Sequence, residues 1–236
     1  HNVHLVFLPS GDAGAMLNRA ILTKNSPQAD VLYGVDNTFL SRALDEDLFV
    51  KYHSGQLNAI PSEFKLDPQD RALPVDFGDV CINYDKAYFR DHTLAVPQSL
   101  QDLLKAEYGK QPGSQGLLVV ENPATSSPGL AFLLATVKVY GEDGYLQFWK
   151  SLKENGVVVA NDWNTAYYTN FSASSGKGAQ PMVVSYASSP AAEVIFASTP
   201  LTEAPTASVI NPETCFRQIE FVGILKGTKH LQLAQE

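Results

Sequence analysis

Thr125, Ser126 and Ser127 place three hydroxyls between an apolar strand-like run at Val119-Val120 and a helix-like run that carries Pro128 in its first turn and continues through Ala131 to Tyr140. The unpaired N–H groups of a helix start and these hydroxyls converge on one point, an arrangement suited to an anion or a polar oxygen. The same serines are equally good helix caps, so the segment alone leaves both readings open. Other strand ends add Asp12, Asp36, Trp163, Tyr186 and Ser188-Ser189. Aromatic faces, a few carboxylates and helix N-termini suit a flat ligand with a positive ring and a polar tail. They do not suit bond-breaking chemistry, because none of these turns contains a histidine. His1, His4, His53, His92 and His230 fall at the terminus or in polar surroundings and read as solvated surface. Trp163, between Asp162 and Asn164, reads as a ligand wall ahead of a structural cap, and Tyr186 reads the same way. Asp36 leans toward a helix cap.

The elements that must hold these residues alternate between strand and helix. Val3–Leu8 has the alternation of a strand, and Ala15–Leu22 follows with helical spacing. Asp30–Gly34 then reads as a short strand and Thr38–Leu44 as a helix. Such alternation implies an α/β fold with parallel sheets covered on both faces, and ligands gather beyond the carboxyl ends of the strands. Ala72–Tyr84 is a long extended run, long enough to cross between two lobes, with Asp76 and Asp79 as hinge hydrogen-bonding groups. Thr206–Asn211 and Cys215–Leu225 run back in extended form, where Arg217 and Glu220 read as an exposed or interlobe pair. Pro97–Leu104 reads as a helix start, with Ser99 and Asp102 at capping-box spacing. Helices are also expected at Gly144–Leu152, from Asn161 through Tyr168, and after Ser189. Buried strands are expected at Val157–Ala160 and Gln180–Tyr186.

Size and charge limit the function classes. The 236 residues, 44% hydrophobic, allow one large or two small domains with a packed core. A net charge of −8, with 17 scattered Lys and Arg, argues against nucleic acid as a partner. Charged residues at 18% are sparse, a balance commoner in exported proteins. No apolar run is long enough to span a membrane. The first residues read as a strand rather than a leader, so any export signal is expected to have been removed. Cys81 and Cys215 exclude a disulfide scaffold and a cysteine zinc cluster, and leave one possible bridge between strand-like runs.

The segments Gly14–Arg19, Ala29–Asn37, Pro74–Gly78, Tyr84–Lys86, Pro123–Leu130, Lys138–Gly141 and Val184–Pro190 together resemble, in order, the thiamine-binding solute receptors of bacterial ABC importers. The resemblance covers nearly the whole chain. It implies the type II periplasmic binding protein fold, with two lobes, each a mainly parallel sheet flanked by helices. Residues 1–82 and 212–236 would form lobe 1 and 83–211 lobe 2, with crossing strands near 78–84 and 207–217. The ligand, thiamine or a thiamine-like cationic heteroaromatic and its phosphates, would lie between lobes that close like a hinge. Asp12 and Ala13 would meet it from lobe 1, where Asp36 is a further candidate contact read from its place at a strand end. Ser126 and Ser127 would hold its anionic or hydroxyl end, Trp163 and Tyr186 would wall its ring, and Ser189 is a further ligand-binding candidate. The partners implied are the membrane subunits of an ABC permease, with no cofactor or metal and a monomeric receptor. The location implied is periplasmic or extracellular, with lipid anchoring of the precursor as a possible mode. Two departures bear on the ligand: Ala192 stands where a second sandwiching tyrosine is expected, and Ala13 replaces a glycine. The chain also resembles a portion that starts after the family's first strand and helix and stops before its last helices. Alternatives are a ferric-iron receptor using Tyr167-Tyr168, for which core packing is the commoner role, and a thiaminase-like enzyme using Cys81 or Cys215 as nucleophile.

Overall fold

A computed structural model describes residues 3–175 and 177–236, so the surface reading of His1 lies outside the described residues. Helices α1 (Ala13–Leu22), α2 (Leu40–Asp45), α3 (Lys86–Asp91), α4 (Ser127–Glu154), α5 (Trp163–Thr165), α6 (Ser172–Ser175), α7 (Ser189–Ile195) and α8 (Leu231–Gln235) alternate with the strands. The strands are β1 (Val31–Asp36), β2 (Leu73–Asp85), β3 (Leu118–Glu121), β4 (Val158–Ala160), β5 (Met182–Tyr186), β6 (Thr206–Val209) and β7 (Phe216–Ile224). The chain divides into two compact units, His1–Phe77 with Ile219–Glu236, and Gly78–Gln218. Strands β2 and β7 carry the chain across the two boundaries. No helix among the described residues is long and apolar enough to cross a membrane.

In the first unit β1 runs antiparallel to β7, from Val31 opposite Ile224 to Asp36 opposite Glu220. The register slips between Tyr33 and Val35, where Gly34 adopts a φ of 96° that a side chain would resist. Helix α1 packs on β1, and Leu17 and Val35 are fully buried. The ladder described here is antiparallel because β7 arrives from the other unit and enters beside β1 in the opposite sense. The strand expected over Val3–Leu8 does not form: the segment has no strand partner among the described residues, and Leu5, Val6 and Phe7 are 65–80% exposed. Alternation of apolar residues makes a strand only where a neighbour takes up the backbone N–H and C=O groups.

In the second unit β3 is parallel to both β4 and β5, and β2 is antiparallel to β5 and β6. The period-two pattern divides β3 and β5 between two cores. Leu118, Val120, Met182 and Val184 point into one, with Phe132, Phe148 and Leu152 of α4. Val119 and Val183 point into the other, with Ala166, Tyr167 and Phe171. Strands buried on both faces are the mark of a parallel sheet covered by helices. The two helices expected over the length of α4 are both present and meet at a bend at Gly141, whose φ of 71° breaks the helical path. The bend lets Tyr140 stack on Phe148 at 4.8 Å.

Two links join β2 to the start of β7. Cys81 and Cys215 form a disulfide, and Arg217 grips Asp79 through Nε and Nη2, at 2.5 and 3.1 Å. Of the two extended runs expected to return, Thr206–Asn211 and Cys215–Leu225, the second forms β7 and carries the chain across the boundary after Gln218. The Asn211 side chain accepts from the N–H groups of Glu213 and Thr214 and closes a turn that separates β6 from β7, leaving β6 within the second unit. The helix expected from Pro97 contracts to a 3-10 turn over Gln101–Leu104. Its capping box is present all the same: the Asp102 carboxylate accepts from Ser99 N–H, and the Ser99 hydroxyl accepts from Asp102 N–H. Reciprocal capping fixes where a turn begins without supplying the tertiary contacts that extend it.

Candidate ligand-binding site

Helix α4 sits close over the end of β3 because Gly129 has no side chain. A Cβ there would lie 2.4 Å from the Glu121 carbonyl oxygen, so only glycine permits this approach. The intervening turn is tightly bonded: the Asn122 carbonyl accepts from Thr125 and Ser126 N–H, and the Asn122 side chain accepts from Ala124 N–H. Thr125 donates its hydroxyl to the Asn161 carbonyl at 2.8 Å, which ties this turn to the one carrying Trp163.

Within that hydrogen-bonded frame Ser126 and Ser127 are 0% and 4% exposed. Ser126 has the extended backbone of an N-cap, yet its side chain makes no capping hydrogen bond. Both hydroxyl oxygens are buried and have no hydrogen-bond partner among the described residues. An unpartnered buried hydroxyl costs about 1–3 kcal/mol, so the turn holds binding capacity that a ligand oxygen would satisfy. The partial positive charge at the start of α4 favours an anionic or electron-rich group at the same place.

Trp163 opens α5, which Asp162 caps by accepting from Thr165 N–H at 2.7 Å. Its half-buried indole stacks on Tyr167 with centroids 4.9 Å apart and an interplanar angle of 17°. Tyr186, at the end of β5, stands 6.2 Å from the indole at a tilt of 59°. The Trp163 Nε1 donates to the Ser185 hydroxyl at 3.0 Å, and that hydroxyl is 3.0 Å from Ser189 Oγ. Ser189 is thereby engaged inside the fold. Tyr186 is held from β2, where the buried Asn83 side chain donates to the Tyr186 carbonyl at 3.0 Å and accepts from Ser208. Asn83 and Ser185 escape a reading of turns because they lie inside strands. Their signal is a lone amide and a lone hydroxyl in the apolar runs Val80–Tyr84 and Met182–Tyr186.

Tyr167 and Tyr168 sit in different surroundings. Tyr167 is buried and donates its hydroxyl to Glu193, while Tyr168 is 56% exposed and its ring is turned 82° from its neighbour's. Burial first, and the Glu193 carboxylate next, hold the Tyr167 phenol well above its ordinary pKa. Both cysteine sulfurs are joined as a disulfide, so neither is a thiolate nucleophile in this state.

In the first unit Asp12 occupies the N-cap position of α1 without a side-chain cap, and Ala13 begins the helix; both are half-buried. Asp36 is fully buried at the end of β1. Its Oδ1 accepts from Thr38 N–H at 2.8 Å, from the Thr38 hydroxyl, and from Phe39 N–H at 3.3 Å, which is the work of a turn-closing cap.

These features define a two-unit α/β protein of the type II periplasmic binding protein fold. Residues 26–236 match the family described as bacterial extracellular solute-binding protein, and the chain belongs to that family. It is 32% identical over 197 residues to the thiamine-binding periplasmic protein of Salmonella typhimurium, covering 82% of this chain and 54% of that one. A solved periplasmic thiamin binding protein superposes with a TM-score of 0.74 at 27% identity, covering 95% of this chain and 64% of that one. The periplasmic binding protein AfuA of Actinobacillus pleuropneumoniae, solved with fructose-6-phosphate bound, shares the fold at a TM-score of 0.82 and 22% identity, covering all of this chain and 69% of its own. The chain thus spans between half and two thirds of the length of the thiamine-binding relatives it matches.

Proposed function

We propose that this chain forms the ligand-binding part of an extracytoplasmic solute receptor for thiamine or a thiamine-like cationic heteroaromatic, which it delivers to the membrane subunits of an ABC importer. The observation that carries the reading is the pair of buried, unpartnered hydroxyls of Ser126 and Ser127 at the start of α4. Their turn is tied by Thr125 to the turn that carries the aromatic wall of Trp163. Trp163 and Tyr186 take the cationic ring through cation–π contact, and the two serines take the hydroxyl or phosphate tail. Asp12 and Ala13 contribute from the first unit. Asp36 and Ser189 act as the scaffold of their turns, because their side chains are already engaged by Thr38 and Phe39 in one case and by Ser185 in the other. The names of the relatives, which describe thiamine binding, support this ligand class.

Closure in this reading is a population shift. A ligand that touches both units favours the closed arrangement by its differential affinity, and the permease recognises that arrangement. The role is binding rather than catalysis: a cysteine nucleophile would first require reduction of the Cys81–Cys215 bridge. The bridge suits an oxidising location, periplasmic or extracellular, where a lipid anchor on a precursor would also serve. The protein works as a monomer. Calorimetric titration with thiamine, its mono- and diphosphate and simple quaternary amines tests the reading. Micromolar or tighter binding of a thiamine form, with quaternary amines weaker, is the expected result. A folded protein that gives no heat with any thiamine form would overturn it.

A further inference from the structure

We propose that Ser185 is a positioning residue for the ligand wall, fixing the plane of the Trp163 indole, with Ser189 as the second link of the same chain. The inference rests on the reading that Trp163 touches the ligand.

An indole has one N–H and two faces, and here the N–H and one face are held by named groups. The N–H donates to Ser185 Oγ at 3.0 Å. That hydroxyl is fully buried and 3.0 Å from Ser189 Oγ, so it can accept from the indole and bond Ser189 at the same time. One indole face stacks on Tyr167, whose own hydroxyl is held by Glu193 Oε1, while Glu193 Oε2 accepts from Thr206 at 3.0 Å. Ser189 and Glu193 both belong to α7, so a single short helix braces the N–H and the stacked face together. A ring held in its binding rotamer before the ligand arrives loses less conformational freedom on binding, which raises affinity without adding a contact.

The second tryptophan supplies an internal control. Trp149 donates its Nε1–H to Thr136 at 2.9 Å and packs edge-on against Phe132 in the core, with no bond to Ser185. Labelling with 5-fluorotryptophan gives one fluorine signal from each of the two tryptophans, and Trp163→Phe assigns them. In Ser185→Ala the Trp163 signal should shift and broaden while the Trp149 signal stays in place, and thiamine affinity should fall about fivefold, the worth of one net hydrogen bond. Ser185→Thr, which keeps the hydroxyl, should restore both. An unchanged Trp163 signal in Ser185→Ala overturns the inference, and so does a shifted signal with unchanged thiamine affinity. The signal is read without ligand. A Trp163→Ala variant that binds thiamine like the wild type would instead overturn the receptor reading of this ring, so the two failures are distinguishable.

Discussion

The turns after β1 and after β3 are built from similar material, a polar residue at a strand end followed by a helix, yet they spend it in opposite ways. After β1, one oxygen of the fully buried Asp36 collects the N–H groups of Thr38 and Phe39 and the Thr38 hydroxyl. After β3, Asn122 closes the turn, and the buried hydroxyls of Ser126 and Ser127 find no partner among the described residues. Polar groups of the first kind stabilise the fold, and those of the second kind weaken it slightly in exchange for a place where a ligand can bind. Burial alone therefore does not separate scaffold from site. What distinguishes them here is that Asp36 Oδ1 is bonded by its own turn, whereas the two serine hydroxyls are not.

The largest expected effect tests the scaffold side. Asp36→Ala should lower stability by roughly 3 kcal/mol, because it strands two backbone donors and a hydroxyl in a buried turn. Denaturant titration measures this, and a loss below about 1 kcal/mol would show that the turn closes without the carboxylate. On the site side, the double variant Ser126→Ala, Ser127→Ala should weaken thiamine monophosphate by about 2 kcal/mol, the order of a charge-assisted hydrogen bond. Its stability should be unchanged or slightly higher, since two unsatisfied hydroxyls are gone. A clear drop in melting temperature with intact affinity would reverse the comparison.

Trp163→Ala should cost about 1–2 kcal/mol in thiamine affinity if the cation–π contact is made in a dry cleft. Titration calorimetry reads it, and equal affinity would remove Trp163 from the site. The smallest effect concerns another satisfied turn. The Asp102 carboxyl is held below the usual carboxylate range by the Lys105 hydrogen bond first and the Gln98 N–H next. A depressed folded pKa contributes stability above the unfolded value of about 4 and loses it as pH falls through the folded value. Asp102→Asn should therefore cost a few tenths of a kcal/mol at pH 7, because the pair is partly exposed and screened, and progressively less as pH falls through the folded value. A cost that does not change with pH would assign the effect to packing.

Much of the second unit was legible from its residues. The strands near Val119, Val157 and Met182, the Pro128 helix start and the Ser99–Asp102 box all rest on short-range patterns of alternation and capping. The limits are equally specific. Val3–Leu8 alternates like a strand and is not one, since pairing depends on a neighbour that no local pattern contains. Tyr167-Tyr168 invited an iron reading, while in the fold Tyr167 is buried with its hydroxyl on Glu193 and Tyr168 is exposed. Asn83 and Ser185 were missed because a lone polar residue inside an apolar strand gains its role only from what lies across from it.

Composition and local spacing were enough to establish an α/β chain, the positions of its turns and the kinds of side chain those turns carry, because helical and strand periods and capping preferences act over a few residues. Which hydroxyls remained without a partner, as at Ser126 and Ser127, and which were engaged, as Ser185 is by Trp163, depended on contacts between segments apart in the chain. Hydrogen bonding is settled by distance and angle in the folded molecule, and a linear order of residues contains neither.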